Sequence, residues 1–297
     1  MGLARWDSMP HLRQPQVGNL RHSTARQSRN QNSSSPATIS TDTDRLEVCA
    51  TKLRRSELDA AARLLAAGGR LSLSPVRLGF RKAPVIGNRT MRIGVLGSGK
   101  GSNLAAIADA CATGQIPVTV ALVLSDVADA GILDRARERG LPARFLDPGP
   151  FRTKLDPVTE QAYVDALRAA QVDLVVLAGF MRVLKGGLLG AFPQRIVNIH
   201  PSLLPAFPGL EAWKQALAYG VKVTGCTMHL VDAGVDSGPI LAQETVPVLE
   251  DDTPDTLHAR IQTVERRLYP AVLGAWARGE YTFEGRRTRS SATSPTA

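Results

Sequence analysis

The chain has 297 residues, enough for one large domain or two ordinary ones, and 43% of them are hydrophobic, as in globular proteins. Its net charge of +9 lies entirely in residues 1–90, which hold 15 Lys and Arg against 6 Asp and Glu, whereas residues 91–297 hold 21 of each. A basic nucleic-acid-binding face on the main part of the chain is therefore not supported. No stretch approaches a membrane span. Three scattered cysteines form neither a disulfide framework nor a zinc spacing, which fits a reducing compartment.

Residues 1–90 form a basic extension without recognisable chemistry. Residues 27–43 are almost free of apolar side chains, so they cannot bury enough surface to offset the entropy lost on ordering. We predict that the extension is disordered apart from a short helix over residues 56–68. Its Arg-rich and Ser-rich start can mimic a transit peptide, but it contains acids and lacks the apolar core of a signal peptide. Alternatively, translation begins at Met91, where the first convincing strand opens.

From Met91 onward, strand and helix patterns alternate. We predict strands over residues 92–96, 118–125, 143–146, 174–178, 196–200, 223–231 and 240–246. The predicted helices cover residues 102–111, 131–139, 159–170, 210–219 and 254–276. Two-sided apolar strands alternating with helices predict an α/β fold with a doubly wound, mostly parallel sheet, with the last two strands adding antiparallel pairing at one end. The predicted domain spans residues 91–286, and residues 287–297 are predicted to be a disordered tail.

A glycine-rich loop, Gly-Ser-Gly-Lys-Gly-Ser-Asn at residues 97–103, joins the first strand to the first helix. Glycines let the backbone approach an anion, and a helix N-terminus offers free N–H groups, so the loop predicts a phosphate site. The alternative is a tight turn with Ser102 as the helix cap. The spacing matches neither the Walker A motif nor the full dinucleotide fingerprint.

The strand over residues 196–200 ends in a pair of polar side chains, Asn198 and His200. They project side by side because residues two apart in a strand share one face, and Pro201 then stops the ladder. The amide can polarise a carbonyl group, and the imidazole beside it can move a proton. This combination suits acyl-group transfer. A purely structural hydrogen-bonding role for His200 is the alternative. Asp236 either forms a simple Asx turn or, if its loop folds back over the sheet edge, pairs with His200.

Two further features leave alternatives open. Residues 178–184, Ala-Gly-Phe-Met-Arg-Val-Leu, follow the most apolar strand and form either a wall for a flat heterocycle or ordinary core packing. On pattern alone, Glu265 on the closing helix is a solvated or helix-pairing acid. Cys226 lies in an apolar run and is interpreted as a packed core thiol.

Five segments between Met91 and about residue 285 stand in a fixed order: Gly-Ser-Asn at 101–103, Leu-Ala-Gly-Phe-Met-Arg at 177–182, Asn-Ile-His-Pro-Ser-Leu-Leu-Pro at 198–205, Asp-Ser-Gly-Pro-Ile at 236–240 and Gln-Thr-Val-Glu at 262–265. Together they resemble the folate-dependent phosphoribosylglycinamide formyltransferase family. The resemblance implies a formyltransferase-type, Rossmann-like fold with a catalytic set of Asn198, His200 and Asp236. One departure concerns the helix after residues 208–209, where the family usually carries a His near the start and this chain has Glu-Ala-Trp at 211–213.

The resemblance also implies the ligands. The formyl donor would be the co-substrate 10-formyltetrahydrofolate, the acceptor would be glycinamide ribonucleotide, and no metal would be required. The implied substrate-binding residues are Gly101, Ser102, Asn103, Pro201, Gln262 and Glu265. The implied folate-binding residues are Phe180, Met181, Arg182, Val183, Leu184, Val231 and Val235. A cytoplasmic monomer or homodimer without nucleic-acid or membrane partners is expected.

Other functions remain open from the sequence. Methionyl-tRNA formyltransferase would need a further C-terminal domain with a basic surface. Formyltetrahydrofolate hydrolase shares the catalytic set but transfers to water and carries an N-terminal regulatory domain that residues 1–90 do not resemble. A nicotinamide-dependent oxidoreductase would use an acid after the second strand, where Asp126 stands. A pure binding role driven by the basic extension is the remaining alternative.

Overall fold

The computed structural model describes residues 81–82 and 89–291. The predicted helix over residues 56–68 lies outside these residues, and so does nearly all of the predicted disordered extension. Arg81–Lys82 form a short strand, β1. No helix in the described part of the chain has the length and hydropathy needed to cross a membrane.

A seven-stranded sheet forms the centre of the molecule. In chain order its strands are β2 (Met91–Leu96), β3 (Val118–Ser125), β4 (Ala143–Phe145), β5 (Leu174–Leu177), β6 (Ile196–His200), β7 (Val223–Leu230) and β8 (Ile240–Pro247). Across the sheet the order is β4-β3-β2-β5-β6-β7-β8. The strands from β4 to β6 are parallel, and β7 is antiparallel to both of its neighbours. The predicted mostly parallel sheet with antiparallel strands at one end is confirmed.

Helices cover both faces of this sheet. They are α1 (Ser102–Ala112), α2 (Gly131–Glu138), α3 (Pro157–Ala169), α4 (Gly186–Ala191), α5 (Ala212–Tyr219) and α6 (Pro254–Ala277). One core joins the sheet to α1, α2 and α6, and a second core joins its other face to α3 and α4. Alternation along β2 sends Ile93 and Val95 into the first core and Leu96 into the second. The doubly wound arrangement is therefore confirmed.

Helix α4 was not predicted from the sequence. It opens with two glycines, which are poor helix formers, so local propensity gives no signal for it. Its start is held by Glu160 of α3, whose carboxylate accepts hydrogen bonds from the backbone N–H groups of Lys185, Gly187 and Leu188 at 3.2, 3.0 and 3.1 Å. Glu160 is only 5% exposed, so a buried acid from a neighbouring helix acts as the cap.

The prediction of a disordered tail over residues 287–297 is wrong for its first four residues. Tyr281–Glu284 (β9) and Arg287–Ser290 (β10) form an antiparallel hairpin, and β1 pairs with the other edge of β9. The Thr288 side chain donates to the backbone carbonyl of Ile240 in β8, which docks the hairpin on the main domain. Strand β1 likewise lies within the extension that was predicted to be disordered. Both strands have polar sequences that do not predict a strand, and backbone pairing with β9 stabilises them.

Candidate active site

Asn198 and His200 lie at the carboxyl end of β6, in the middle of the sheet. Antiparallel pairing places His229 of β7 opposite Asn198 and Thr227 opposite His200. His200 is only 4% exposed, whereas Asn198 is half-buried. The structure therefore places the amide within reach of a ligand at the sheet edge and the imidazole just beneath the surface.

Both ring nitrogens of His200 face oxygen atoms. Nδ1 lies 3.3 Å from Oδ2 of Asp236, and Nε2 lies 2.8 Å from the backbone carbonyl of Phe207. Only the doubly protonated imidazolium can donate to both acceptors. The contact between His200 and Asp236, which the sequence left conditional on the folding of the loop, is present.

The loop that carries Asp236 is folded tightly against β7. Asp236 adopts φ 49°, a left-handed conformation that Asp accepts more readily than most residues, and Oδ2 also accepts a hydrogen bond from the Gly209 N–H at 2.8 Å. A Cβ atom on Gly238 would lie 1.8 Å from the carbonyl oxygen of Leu230, so only glycine fits there. This close approach turns the Asp236 carboxylate back toward His200.

His229 is a site residue that the sequence analysis missed. Its Nε2 atom lies 3.2 Å from the side-chain nitrogen of Asn198 and 3.7 Å from Oδ1 of Asp236, and its Nδ1 lies 2.9 Å from the Leu230 carbonyl. Burial lowers the pKa of this imidazole. The alternation that paired Asn198 with His200 would have found it, because Thr227 and His229 are polar residues two apart at the carboxyl end of a buried strand.

The predicted phosphate loop leads into α1 through Gly101. Gly101, not Ser102, occupies the cap position, with φ 76° and no side-chain cap, so the alternative of Ser102 as the helix cap is wrong. The backbone N–H groups of the first helical turn consequently remain available to an anion. A Cβ atom on Gly101 would lie 2.7 Å from the backbone of Ile132, which explains why the loop requires glycine there.

Asn103 and Glu265 connect this loop to the closing helix. The Asn103 amide donates to Oε2 of Glu265 at 3.0 Å, and both side chains are buried. Burial raises the pKa of Glu265. Oδ1 of Asn103 is buried without a hydrogen-bond partner in the described part of the chain. One turn before Glu265, the amide nitrogen of Gln262 lies 3.2 Å from Nε2 of His258. Asn103 and Glu265, two of the implied substrate-binding residues, are therefore in contact. Gln262 lies one turn away from Glu265 on α6, and Pro201 directly follows β6.

The residues implied to bind folate divide into exposed and buried groups. Met181, Val183 and Val235 are exposed, at 59, 37 and 57%. Phe180 and Leu184 are buried in the second core, and Val231 packs at its margin. Residues 178–184 therefore fit both interpretations that the sequence left open. Met181 and Val183 form an exposed apolar wall, and Phe180 and Leu184 anchor it in the core.

Arg182 points inward rather than toward a ligand. Its Nε donates to Oδ2 of Asp126 at 2.6 Å, and its guanidinium also donates to the Phe151 carbonyl. Oδ1 of Asp126 accepts from the Ser98 hydroxyl at 2.5 Å, and that hydroxyl oxygen accepts from the Met181 N–H at 2.9 Å. Both carboxylate oxygens of Asp126 are engaged, so this acid is not poised to bind a nicotinamide ribose. The network ties the exposed wall to the predicted phosphate loop.

Among the residues that the structure describes, His, Cys, Asp and Glu side chains form no group of three that could hold a metal ion.

The sequence model of the formyl transferase family matches residues 91–273. The chain belongs to this family. This formyl transferase is 48% identical over 198 residues to the phosphoribosylglycinamide formyltransferase of Mycobacterium tuberculosis, covering 66% of this chain and 89% of the relative. It is 41% identical over 193 residues to the enzyme of that name from Bacillus subtilis, covering 64% and 98%.

A solved structure gives the same result. The crystal structure of glycinamide ribonucleotide transformylase 1 from Symbiobacterium toebii superposes with a TM-score of 0.65 at 54% identity, covering 68% of this chain and 94% of the other. The Rossmann-like formyltransferase fold and the resemblance to phosphoribosylglycinamide formyltransferases are thereby confirmed, and the protein is an enzyme.

Proposed function

We propose that this formyl transferase moves the formyl group of 10-formyltetrahydrofolate to the amine of glycinamide ribonucleotide, a step of de novo purine synthesis. The observation that carries the proposal is the contact of His200 with Asp236 beside Asn198, at the ligand-binding edge of the sheet. Support also comes from the relatives described above, because they are named for formylation of this acceptor.

The proposed reaction is direct transfer. The acceptor amine attacks the formyl carbon, a new C–N bond forms, and the carbon–nitrogen bond to the folate breaks as the proton moves from the attacking to the leaving nitrogen. Asn198 uses one side-chain N–H for His229, and the other is free to donate to the oxyanion. The positive charge of His200, held between Asp236 and the Phe207 carbonyl, stabilises the same developing charge. Asp236 assists a water molecule in the proton transfer.

The proposed acceptor site extends from the phosphate loop to α6. The N–H groups that follow Gly101, including those of Ser102 and Asn103, would bind the ribose phosphate. Gln262 and Glu265 would contact the glycinamide arm. Because burial disfavours the charged form of Glu265, this carboxyl group suits hydrogen bonding to a neutral amine, which is the form that can attack.

The proposed donor site lies along the exposed side chains of Met181 and Val183, and the exposed Val235 of the Asp236 loop is proposed as a further contact. These side chains would contact the pterin, whereas Phe180 and Leu184 would support the wall from beneath. Arg182, tied to Asp126, would fix the wall rather than bind folate directly.

The test measures release of tetrahydrofolate spectroscopically with and without glycinamide ribonucleotide, in the wild type and in Asn198→Ala, His200→Ala and Asp236→Asn. We expect turnover that depends on the amine substrate, and losses of about 10²–10³ in kcat in the first two variants. Folate release without the amine would identify a hydrolase instead. Variants with wild-type activity would rule out the proposed catalytic set.

A further inference from the structure

Trp213 of α5 lies flat on His258 of α6. The ring centroids are 3.7 Å apart and the ring planes differ by 4°, which is close stacking. Both side chains are half-buried. His258 precedes Gln262 by four residues and Glu265 by seven, so these side chains follow one face of the helix. The stack therefore stands beside the residues proposed to contact the glycinamide arm.

The stacked imidazole also bonds to Gln262. Nε2 of His258 lies 3.2 Å from the amide nitrogen of Gln262. An amide nitrogen only donates, so this imidazole nitrogen must accept, and the ring is neutral with its proton on Nδ1. Burial lowers the pKa of His258, which favours the neutral form.

This bond determines which end of the Gln262 amide is free. With the nitrogen held at His258, the amide oxygen lies on the opposite side of the group. An oxygen acceptor matches the glycinamide arm, whose amine and amide both carry N–H donors. A rotated amide would present its N–H groups to the arm, where they could bond only to an acceptor such as the arm's carbonyl oxygen, and the hydrogen bond from the arm's own N–H groups would be lost.

We propose that Trp213 and His258 are positioning residues that hold the Gln262 amide oxygen toward the acceptor substrate, and that protonation of His258 releases it. The inference rests on the proposed function and deepens it, because it identifies the feature that selects an N–H-rich arm. Trp213 keeps the ring in the plane where its nitrogen reaches Gln262.

The charged groups around His258 determine how this arrangement responds to pH. Asp255 on the same helix favours the protonated ring, and Lys100 of the phosphate loop opposes it, while α5 contributes the uncharged Trp213 ring. Since the pKa is lowered, the bond to Gln262 is intact at neutral pH, and it is lost only as the pH falls through that lowered pKa, which lies below the ordinary histidine value of about 6.5. We therefore expect the KM for the amine substrate to rise at acid pH, with no matching rise for the folate donor.

The experiment measures both KM values and kcat at pH 5.5 and 7.5 for the wild type, His258→Phe, His258→Gln and Trp213→Leu. Phenylalanine keeps a flat ring against Trp213 but removes the acceptor, so at pH 7.5 the KM for glycinamide ribonucleotide should rise about fivefold to tenfold. The folate KM and kcat should stay within about twofold. Glutamine supplies an acceptor that does not titrate, so it should restore most of the affinity and abolish the extra rise at pH 5.5. Trp213→Leu should raise the same KM by about threefold.

Circular dichroism and thermal unfolding of each variant separate misfolding from mispositioning. A wild-type KM in His258→Phe, an equal rise in both KM values, or the same acid response in His258→Gln as in the wild type would overturn the inference. If the wild type shows no turnover that depends on glycinamide ribonucleotide, the proposed function fails and the inference with it. If the wild type turns over normally and only the variants disagree, the inference alone fails.

Discussion

Asn198 donates its side-chain N–H to Nε2 of His229 across the β6–β7 pair, at 3.2 Å. The other ring nitrogen of His229 donates to the Leu230 carbonyl at 2.9 Å, so the imidazole is neutral and its acceptor atom is fixed in place. A histidine on the adjacent strand thus sets the orientation of the amide that is proposed to bind the oxyanion.

Replacing His229 should therefore reduce catalysis more than binding. His229→Leu removes the acceptor and lets the Asn198 amide rotate, and we expect kcat to fall by about 10–100-fold with both KM values nearly unchanged. His229→Gln keeps an acceptor oxygen and should recover part of the loss. Steady-state kinetics of the two variants test this, and equal losses in both would contradict the orienting role.

His229 should also make the folded state sensitive to acid. Its folded pKa is lowered, so below about pH 6.5 the unfolded chain binds a proton that the folded chain does not. The stability that the neutral ring contributes is present above that pH and is lost as the pH falls, at up to about 1.4 kcal/mol per pH unit. Between pH 7.5 and 5.5, urea unfolding should show the wild type losing about 1 kcal/mol more than His229→Gln. An identical pH dependence in both proteins would argue against this linkage.

The close approach of Gly238 to β7 predicts a sharp contrast between two glycines. Gly238→Ala places a Cβ atom 1.8 Å from the Leu230 carbonyl oxygen, so the loop must move and take Asp236 with it. We expect kcat to drop at least about 100-fold, because small displacements of positioned groups have large effects on rate. Gly190→Ala is the matched control, since a Cβ atom there meets nothing within 4 Å. The prediction fails if the Gly238 variant keeps wild-type kcat.

Breaking the inward ion pair should loosen the proposed folate wall. In Asp126→Asn the largely buried guanidinium of Arg182 loses its anion, which should lower the free energy of unfolding by about 3 kcal/mol. The folate KM should rise more than the amine KM, because the Ser98 link to the Met181 backbone depends on the same carboxylate. Asp109→Asn removes the partner of Arg139 in an exposed pair and should cost less than about 1 kcal/mol. Equal costs in the two variants, from urea unfolding, would contradict this account.

Much of the fold was predictable because its signals are local. Two-sided apolar runs indicated β2 and β5, and the long amphipathic pattern after Pro254 indicated α6 within a residue or two of its observed end. Helix α4 and strand β10 were not predictable. The Glu160 carboxylate, which stabilises α4, lies 27 residues from Gly187 in the sequence. Strand β10 is stabilised by pairing with β9, and the secondary-structure propensity of its own residues does not reveal that pairing.

The sequence by itself determined that Asn198 and His200 share one face at the end of a central strand, because strand alternation is a property of neighbouring residues. It also determined the family, through five short segments in a fixed order. Only the tertiary structure decided that Asp236 reaches His200, that His229 orients Asn198 and that Arg182 points into the protein. These contacts depend on how the Asp236 loop folds back and on which strands become neighbours. Both are determined by packing between residues that are far apart in the sequence.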